Sequence, residues 1–100
     1  MIKLIIMFRK PADTAAFEDK YATQYVPAAN LMPFVKKTAV ARVLGAPKGE
    51  APYYLMHEMY FEDMAELNQS LNSPEGRSAG TVLMTFAREI VTIMFAEAWE

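Results

Sequence analysis

The chain contains no cysteine, which excludes disulfide staples, thiolate nucleophiles and cysteine-ligated metal sites together. That absence fits a reducing compartment, and a cytoplasmic location is the expectation. Histidine occurs once, at His57, so no pair of imidazoles at helical spacing is available to hold a metal ion. The glycines are Gly45, Gly49, Gly76 and Gly80, and their spacing forms neither a phosphate-cradling loop nor a dinucleotide-binding fingerprint. No recognised motif for a nicotinamide or a flavin is present, and no bound cofactor is expected. Long apolar runs are also missing. The longest early one, Leu4 to Phe8, lacks the length and the small-residue cleavage pattern of a secretory leader, and falls far below the ~20 residues of a membrane span. Ten basic and twelve acidic residues are dispersed along the chain for a net charge of −2, so neither a nucleic acid nor a membrane is an expected partner.

What is abundant is apolar side chain. Hydrophobic residues make up 53% of the 100 positions, and a single domain of this length buries only roughly 60–65% of its unfolded surface. The surplus calls for a second surface to cover it. Eight methionines contribute to that surplus, with flexible, polarisable side chains that fill irregular gaps or line adaptable cavities.

The pattern predicts one unit, residues 1–100, with no repeat or linker. Ile2 to Phe8 is isoleucine-rich and apolar on both parities, as a strand covered on both faces would be. Pro11 stops it, Asp13 or Thr14 can cap a helix, and Phe17, Tyr21, Tyr25, Ala28 or Ala29, and Met32 form a helical stripe that Pro27 should kink or interrupt. Val35 to Leu44 reads as a β-branched strand, and Tyr53 to Phe61 as its partner across a loop marked by Gly45, Pro47, Gly49 and Pro52. Asp63 opens a helical region to about Ala87. Ser73-Pro74-Glu75 breaks it and starts a new helix, since serine caps, proline suits the first turn and glutamate suits the dipole. Ile90 to Ala98 is the last strand. The order βαββαβ predicts an α+β, ferredoxin-like fold, a four-stranded antiparallel sheet with helices on one face. Its strands do not alternate apolar with polar, so a second copy packing sheet against sheet is expected.

The segments MIKLIIMFRKPAD, ARVLGAP, YYLMHEMYF and SPEGRSA, in this order, resemble the EthD family, small proteins named for a link to ethyl tert-butyl ether breakdown and often described as reductases. The resemblance spans essentially the whole chain and implies a dimeric α+β barrel. It also implies oxidoreductase-type chemistry by analogy, while related barrels include cofactor-independent oxygenases, isomerases and cyclases. The chain departs from the family pattern at Gln24-Tyr25-Val26-Pro27, where many relatives carry His-x-Pro and Tyr25 takes the histidine's place.

Candidate chemistry centres on Tyr25, His57 and Glu58. Tyr25 lies on the helical stripe, so it is either core or, as the resemblance implies, directed to the cleft between helices and sheet. There a phenol orients or polarises a ligand oxygen better than it abstracts a proton. His57 shares its parity with Tyr53, Leu55, Met59 and Phe61 and is either a hydrogen-bonded structural residue or a proton-transfer group. Glu58 has the opposite parity, with Tyr54, Met56 and Tyr60. It needs solvent or a cation such as Lys36 or Arg42, or else it is an acid or base with a raised pKa. Tyr21, Tyr54, Tyr60 and Arg42 are candidates for ligand contact, Arg42 equally for a salt bridge or loop anchor. The expectation is a homodimer that binds or transforms a small hydrophobic organic molecule. The alternative is a non-catalytic ligand carrier or accessory protein of a degradation pathway.

Overall fold

The computed structural model describes residues 1–99. Strand β1 (Ile2–Phe8) lies at the centre of one antiparallel sheet, between β3 (Leu55–Phe61) and β4 (Val91–Glu97), and β2 (Lys37–Arg42) flanks β3 at the edge, giving the order β2-β3-β1-β4. The fold is the α+β ferredoxin-like one that the element order predicts.

Side-chain caps set the helix starts. Asp13 accepts from the Ala16 amide at 3.0 Å to open α1 (Thr14–Lys20), and Asp63 accepts from Glu66 at 2.8 Å to open α3 (Met64–Asn72). Ser73 accepts from Gly76 at 3.0 Å and donates to the Ser70 carbonyl at 2.6 Å, so a single hydroxyl ends α3 and starts α4 (Pro74–Ala87). The corner is tight. A β-carbon on Gly76 would lie 2.0 Å from the Ser70 carbonyl oxygen, and only glycine allows this approach.

The interruption expected at Pro27 lies ahead of it. Residues Tyr21–Tyr25 form a π-helical turn, in which the Val26 amide reaches back to the Tyr21 carbonyl, before α2 (Val26–Ala29) resumes with proline in its first turn. Proline has no N–H to continue the regular ladder, and the widened turn absorbs the mismatch without a break. It leaves Tyr21 and Tyr25 both buried against the sheet. Phe34, with φ of 70°, then turns the chain toward β2 in a left-handed conformation that a bulky side chain seldom adopts.

Opposed residues of an antiparallel pair share a face, so the register sorts the sheet. Leu4, Ile6 and Phe8 align with Met59, His57 and Leu55 on one side and with Phe95, Ile93 and Val91 on the other. This face carries the helices and the core. The opposite face presents Ile5, Met7, Met56 and Met94, together with Ala39 and Ala41 of β2, around a polar patch of Lys3, Glu58, Tyr60 and Lys37. Both parities of β1 are apolar, as the sequence requires.

The structure corrects three strand ranges, of which the last is Val91–Glu97 rather than Ile90–Ala98, Ile90 instead closing the turn after α4 through the hydrogen bond of its amide to the Ala87 carbonyl. The second strand is Lys37–Arg42 rather than Val35–Leu44, and all its residues are exposed, because it is an edge and the helices stop short of it. The third begins at Leu55, not Tyr53, and the bend at Tyr54 releases that residue from the alternation of the strand.

Candidate functional site

The centre of the helix-side layer holds one buried polar contact between residues distant in sequence. The Tyr25 hydroxyl lies 3.0 Å from Nδ1 of His57, with the side chains 1% and 4% exposed. The π turn supplies the tyrosine and the β3 alternation supplies the histidine. Their rings meet edge to face at 5.5 Å, and Tyr21 packs on both, 5.5 Å from the Tyr25 ring and 6.4 Å from the imidazole. Phe17 and Phe8 extend this aromatic cluster. The phenol is the more acidic partner and is assigned as the donor, which places the imidazole proton on Nε2.

Burial fixes the charge state. Desolvation lowers the His57 pKa to about 4, so the imidazole is neutral at pH 7. The Tyr21 phenol is pushed up to about 12 by burial, and Tyr25 is raised further, first by burial and then by the neighbouring Tyr21 oxygen. The pair is therefore a neutral donor and acceptor system. An imidazole this weakly basic is poorly matched to proton abstraction near neutrality, whereas it can hold or polarise an oxygen. Tyr25 also lines a small, partly open apolar cavity of about 60 Å³ between sheet and helices, together with residues that include Met32, Met59, Leu71, Leu83 and Gly80.

The other candidates fall elsewhere. Glu58 lies on the opposite face of the sheet, where its carboxylate meets Lys3 at 3.3 Å; that cation raises no question of an isolated buried charge, and the pair is remote from the dyad by parity. Tyr60 shares that face, with the Lys37 ammonium 4.4 Å from its ring centre. Tyr54, placed by the sequence with Glu58, is on the helix side instead. It precedes the strand, packs edge-on to Phe17 and donates to Glu18. Arg42 pairs with Glu18 at 3.0 Å and sits over the Tyr54 ring, forming a half-exposed polar rim where β2 faces α1. The structure thus brings Tyr25, His57 and Tyr21 together, puts Arg42 and Tyr54 at the rim, and separates Glu58 and Tyr60.

The sequence reading missed a Gly-x-Ser-x-Gly string at Gly76–Gly80. A nucleophile elbow needs a sharp strand-to-helix turn. Here Ser78 is exposed within α4, so the string is helix surface and not an elbow. Among the described residues no cluster of three or more His, Asp or Glu side chains could hold a metal ion, and no helix is long and apolar enough to cross a membrane.

A sheet of this order, helices on one face and a buried polar pair beneath them define a ferredoxin-like protein with a candidate site between its layers. The EthD domain model matches residues 9–84, and the chain belongs to the EthD family. A protein of Rhodococcus erythropolis described as an uncharacterized 11.0 kDa protein in the thcB-thcC intergenic region is 33% identical over 97 residues, covering 97% of this chain and 94% of that one. The crystal structure of an EthD family protein from Bacillus halodurans is 35% identical and superposes with a TM-score of 0.95 over 99% of each chain. At 16% identity, a hydroxynitrile lyase from Passiflora edulis shares the fold, with a TM-score of 0.77 over 99% of this chain and 94% of that one.

Proposed function

We propose that this EthD protein is a homodimer whose protomers each bind, and in the catalytic reading transform, a small and mainly apolar organic molecule between sheet and helices. The observation that carries the reading is the buried 3.0 Å contact of His57 with Tyr25, whose side chain lines an apolar cavity. In this reading Tyr25 and His57 orient a ligand oxygen, and the cavity wall supplies hydrophobic contact. The cavity is small, about 60 Å³, so a ligand of several carbon atoms enters by displacing flexible side chains such as Met32 and Met59. The dimer rests on the second apolar face of the sheet: Ile5, Met7 and Met56 lie there without a helix to cover them.

Chemistry of the oxygenase, isomerase or cyclase type, without a resident cofactor, is compatible with a neutral phenol–imidazole pair whose remaining Nε2–H can hold an oxygen. The hydroxynitrile lyase supports only the compatibility of the scaffold with small-molecule chemistry. The depressed basicity of His57 favours a second reading, a ligand carrier in which the pair binds and no proton is moved.

The test is methyl NMR of Met32 and Met59 during titration with a panel of compact hydrocarbons and ketones, alongside light scattering across micromolar dilution. Saturable shifts with one site per protomer, in a particle of twice the chain mass, are expected. Methyl signals that no member of the panel moves would remove the pocket, and a folded monomer at all concentrations would remove the dimer.

A further inference from the structure

We infer that the apolar cavity opens to the outside between α4 and β4, that Gly80 and Ile93 form its mouth, and that its ligand carries an unbranched hydrocarbon chain running out through that mouth onto Phe95. The inference rests on the reading of this cavity as a ligand site. It adds a direction, a pair of specificity-determining residues and a chemical class.

The cavity lies at the boundary of the helical layer. Its inner wall is fully buried and includes Leu4 and Ile6 of β1, Met59 of β3, and Tyr25 and Met32. The outer wall is different. Gly80 and Leu71 are partly exposed there, and Ile93 is 44% exposed. Ile93 opposes Ile6 in the register and Phe95 opposes Leu4, so all four residues share the helix-facing side of the sheet. The helices cover β1 and stop short of β4, for Phe95 is 53% exposed although its neighbour Leu4 is buried. On the helix side of the opening, a β-carbon added to Gly80 would meet nothing within 4 Å. The missing side chain leaves the gap through which the cavity communicates with the flank of β4.

Volume decides the shape of the ligand. Sites for small organic molecules ordinarily enclose roughly 300–1,000 Å³, and a cavity of about 60 Å³ holds only one end of such a molecule. The remainder lies in the mouth, on Ile93 and Phe95, so that part of the ligand is hydrocarbon; a hydrated or charged group would find no partner on those side chains. Cross-section then favours a chain, which enters end-on, over a ring of the same carbon number, which presents its whole width to the opening. The second copy proposed above covers the other side of the sheet, at Ile5, Met7 and Met56, and leaves Ile93 and Phe95 to the ligand.

The experiment titrates 2-butanone, 2-hexanone, 2-octanone and cyclooctanone into the full chain and into Gly80→Leu, Ile93→Ala and Phe95→Ala, following the methyl signals of Met32, Met59 and Ile93 by NMR, with light scattering on each protein. In the parent, affinity should rise at least ~10-fold from 2-butanone to 2-octanone, against a ceiling of about 200-fold for four fully buried methylenes, and cyclooctanone should bind more weakly than 2-octanone. Ile93→Ala and Phe95→Ala should keep 2-butanone within about 2-fold of the parent and lose about 3- to 10-fold for 2-octanone, since only the longer chain reaches them. Gly80→Leu should melt no lower than the parent, leucine being the better helix former, and should weaken every ketone by at least ~10-fold. Parent-like binding by Gly80→Leu, no gain from 2-butanone to 2-octanone, or cyclooctanone bound as tightly as 2-octanone overturns the inference and leaves the pocket standing. A smaller particle for Ile93→Ala or Phe95→Ala also overturns it, by showing that the patch is a contact between copies. Failure of every ketone to move the Met32 and Met59 methyl signals of the parent removes the pocket reading as well.

Discussion

Replacing Tyr25 with phenylalanine isolates one hydrogen bond in the middle of the protein. The ring is 1% exposed and packs against Tyr21 and His57, and phenylalanine keeps that packing while removing the hydroxyl. The loss has two parts: a net hydrogen bond of ~0.5–1.5 kcal/mol, and a buried Nδ1 of His57 left without a partner, which brings the total to about 1–3 kcal/mol. A domain of this length has a stability of roughly 5–15 kcal/mol, and each kilocalorie moves its melting temperature by about 4–8 °C. Tyr25→Phe should therefore lower the midpoint by about 5–20 °C at fixed protein concentration, which matters if the folded species is a dimer. His57→Leu should be costly for the mirror-image reason, since it orphans the phenol. The double variant replaces both partners with apolar groups and should recover much of the loss, giving a coupling of about 1–2 kcal/mol in a double-mutant cycle. Circular dichroism melts and urea titrations of the four proteins supply the numbers. Strictly additive losses, or a Tyr25→Phe protein within ~0.5 kcal/mol of the parent, would refute the claim that this contact holds the layer together.

The acid limb of stability should report the same histidine. Its pKa falls from the ordinary ~6.5 to about 4 in the folded protein, so below pH 6.5 the unfolded chain binds a proton that the folded one refuses. Stability is full above pH 6.5 and falls as the pH drops toward 4, by ~3 kcal/mol for this group. The difference between parent and His57→Leu across that range isolates it from the carboxylates, and an imidazole titrating near 6.5 by NMR would contradict the burial argument. The two helical glycines of α4 should behave in opposite ways. Gly76→Ala drives a β-carbon into the Ser70 carbonyl and backbone atoms of Leu71, and should cost at least ~2–3 kcal/mol. Gly80→Ala meets open space, should stabilise by roughly 0.5–1 kcal/mol through helix propensity, and should crowd the cavity that Gly80 lines, weakening ligand binding. Thermal melts of the two variants, together with one hydrocarbon titration of Gly80→Ala, decide it; equal effects would show that the corner at Ser70 is not rigid.

Local chemistry was legible in the residues themselves. The limits of β1, the caps at Asp13, Asp63 and Ser73, the break at Ser73-Pro74 and the order of strands and helices all follow from signals that act within a few residues of where they are written. Parity alone put His57 on the face of Leu55, Met59 and Phe61, because side chains alternate strictly along a strand. The family likeness came from these same segments. Tertiary structure decided what no local signal contains. It settled that β2 is a short exposed edge, since that depends on where the helices end. It also settled that Tyr54 turns to the helix side, since a bend ahead of the strand breaks the alternation that parity presumes. The partner of Glu58 is Lys3, 55 residues away, and the partner of His57 is Tyr25, 32 residues away. Periodicity tells which way a side chain points from its own backbone, while the register of β3 against β1 and the widened turn at Tyr21–Tyr25 tell what it meets. The buried site is made of such meetings, between elements whose separate patterns never mention one another.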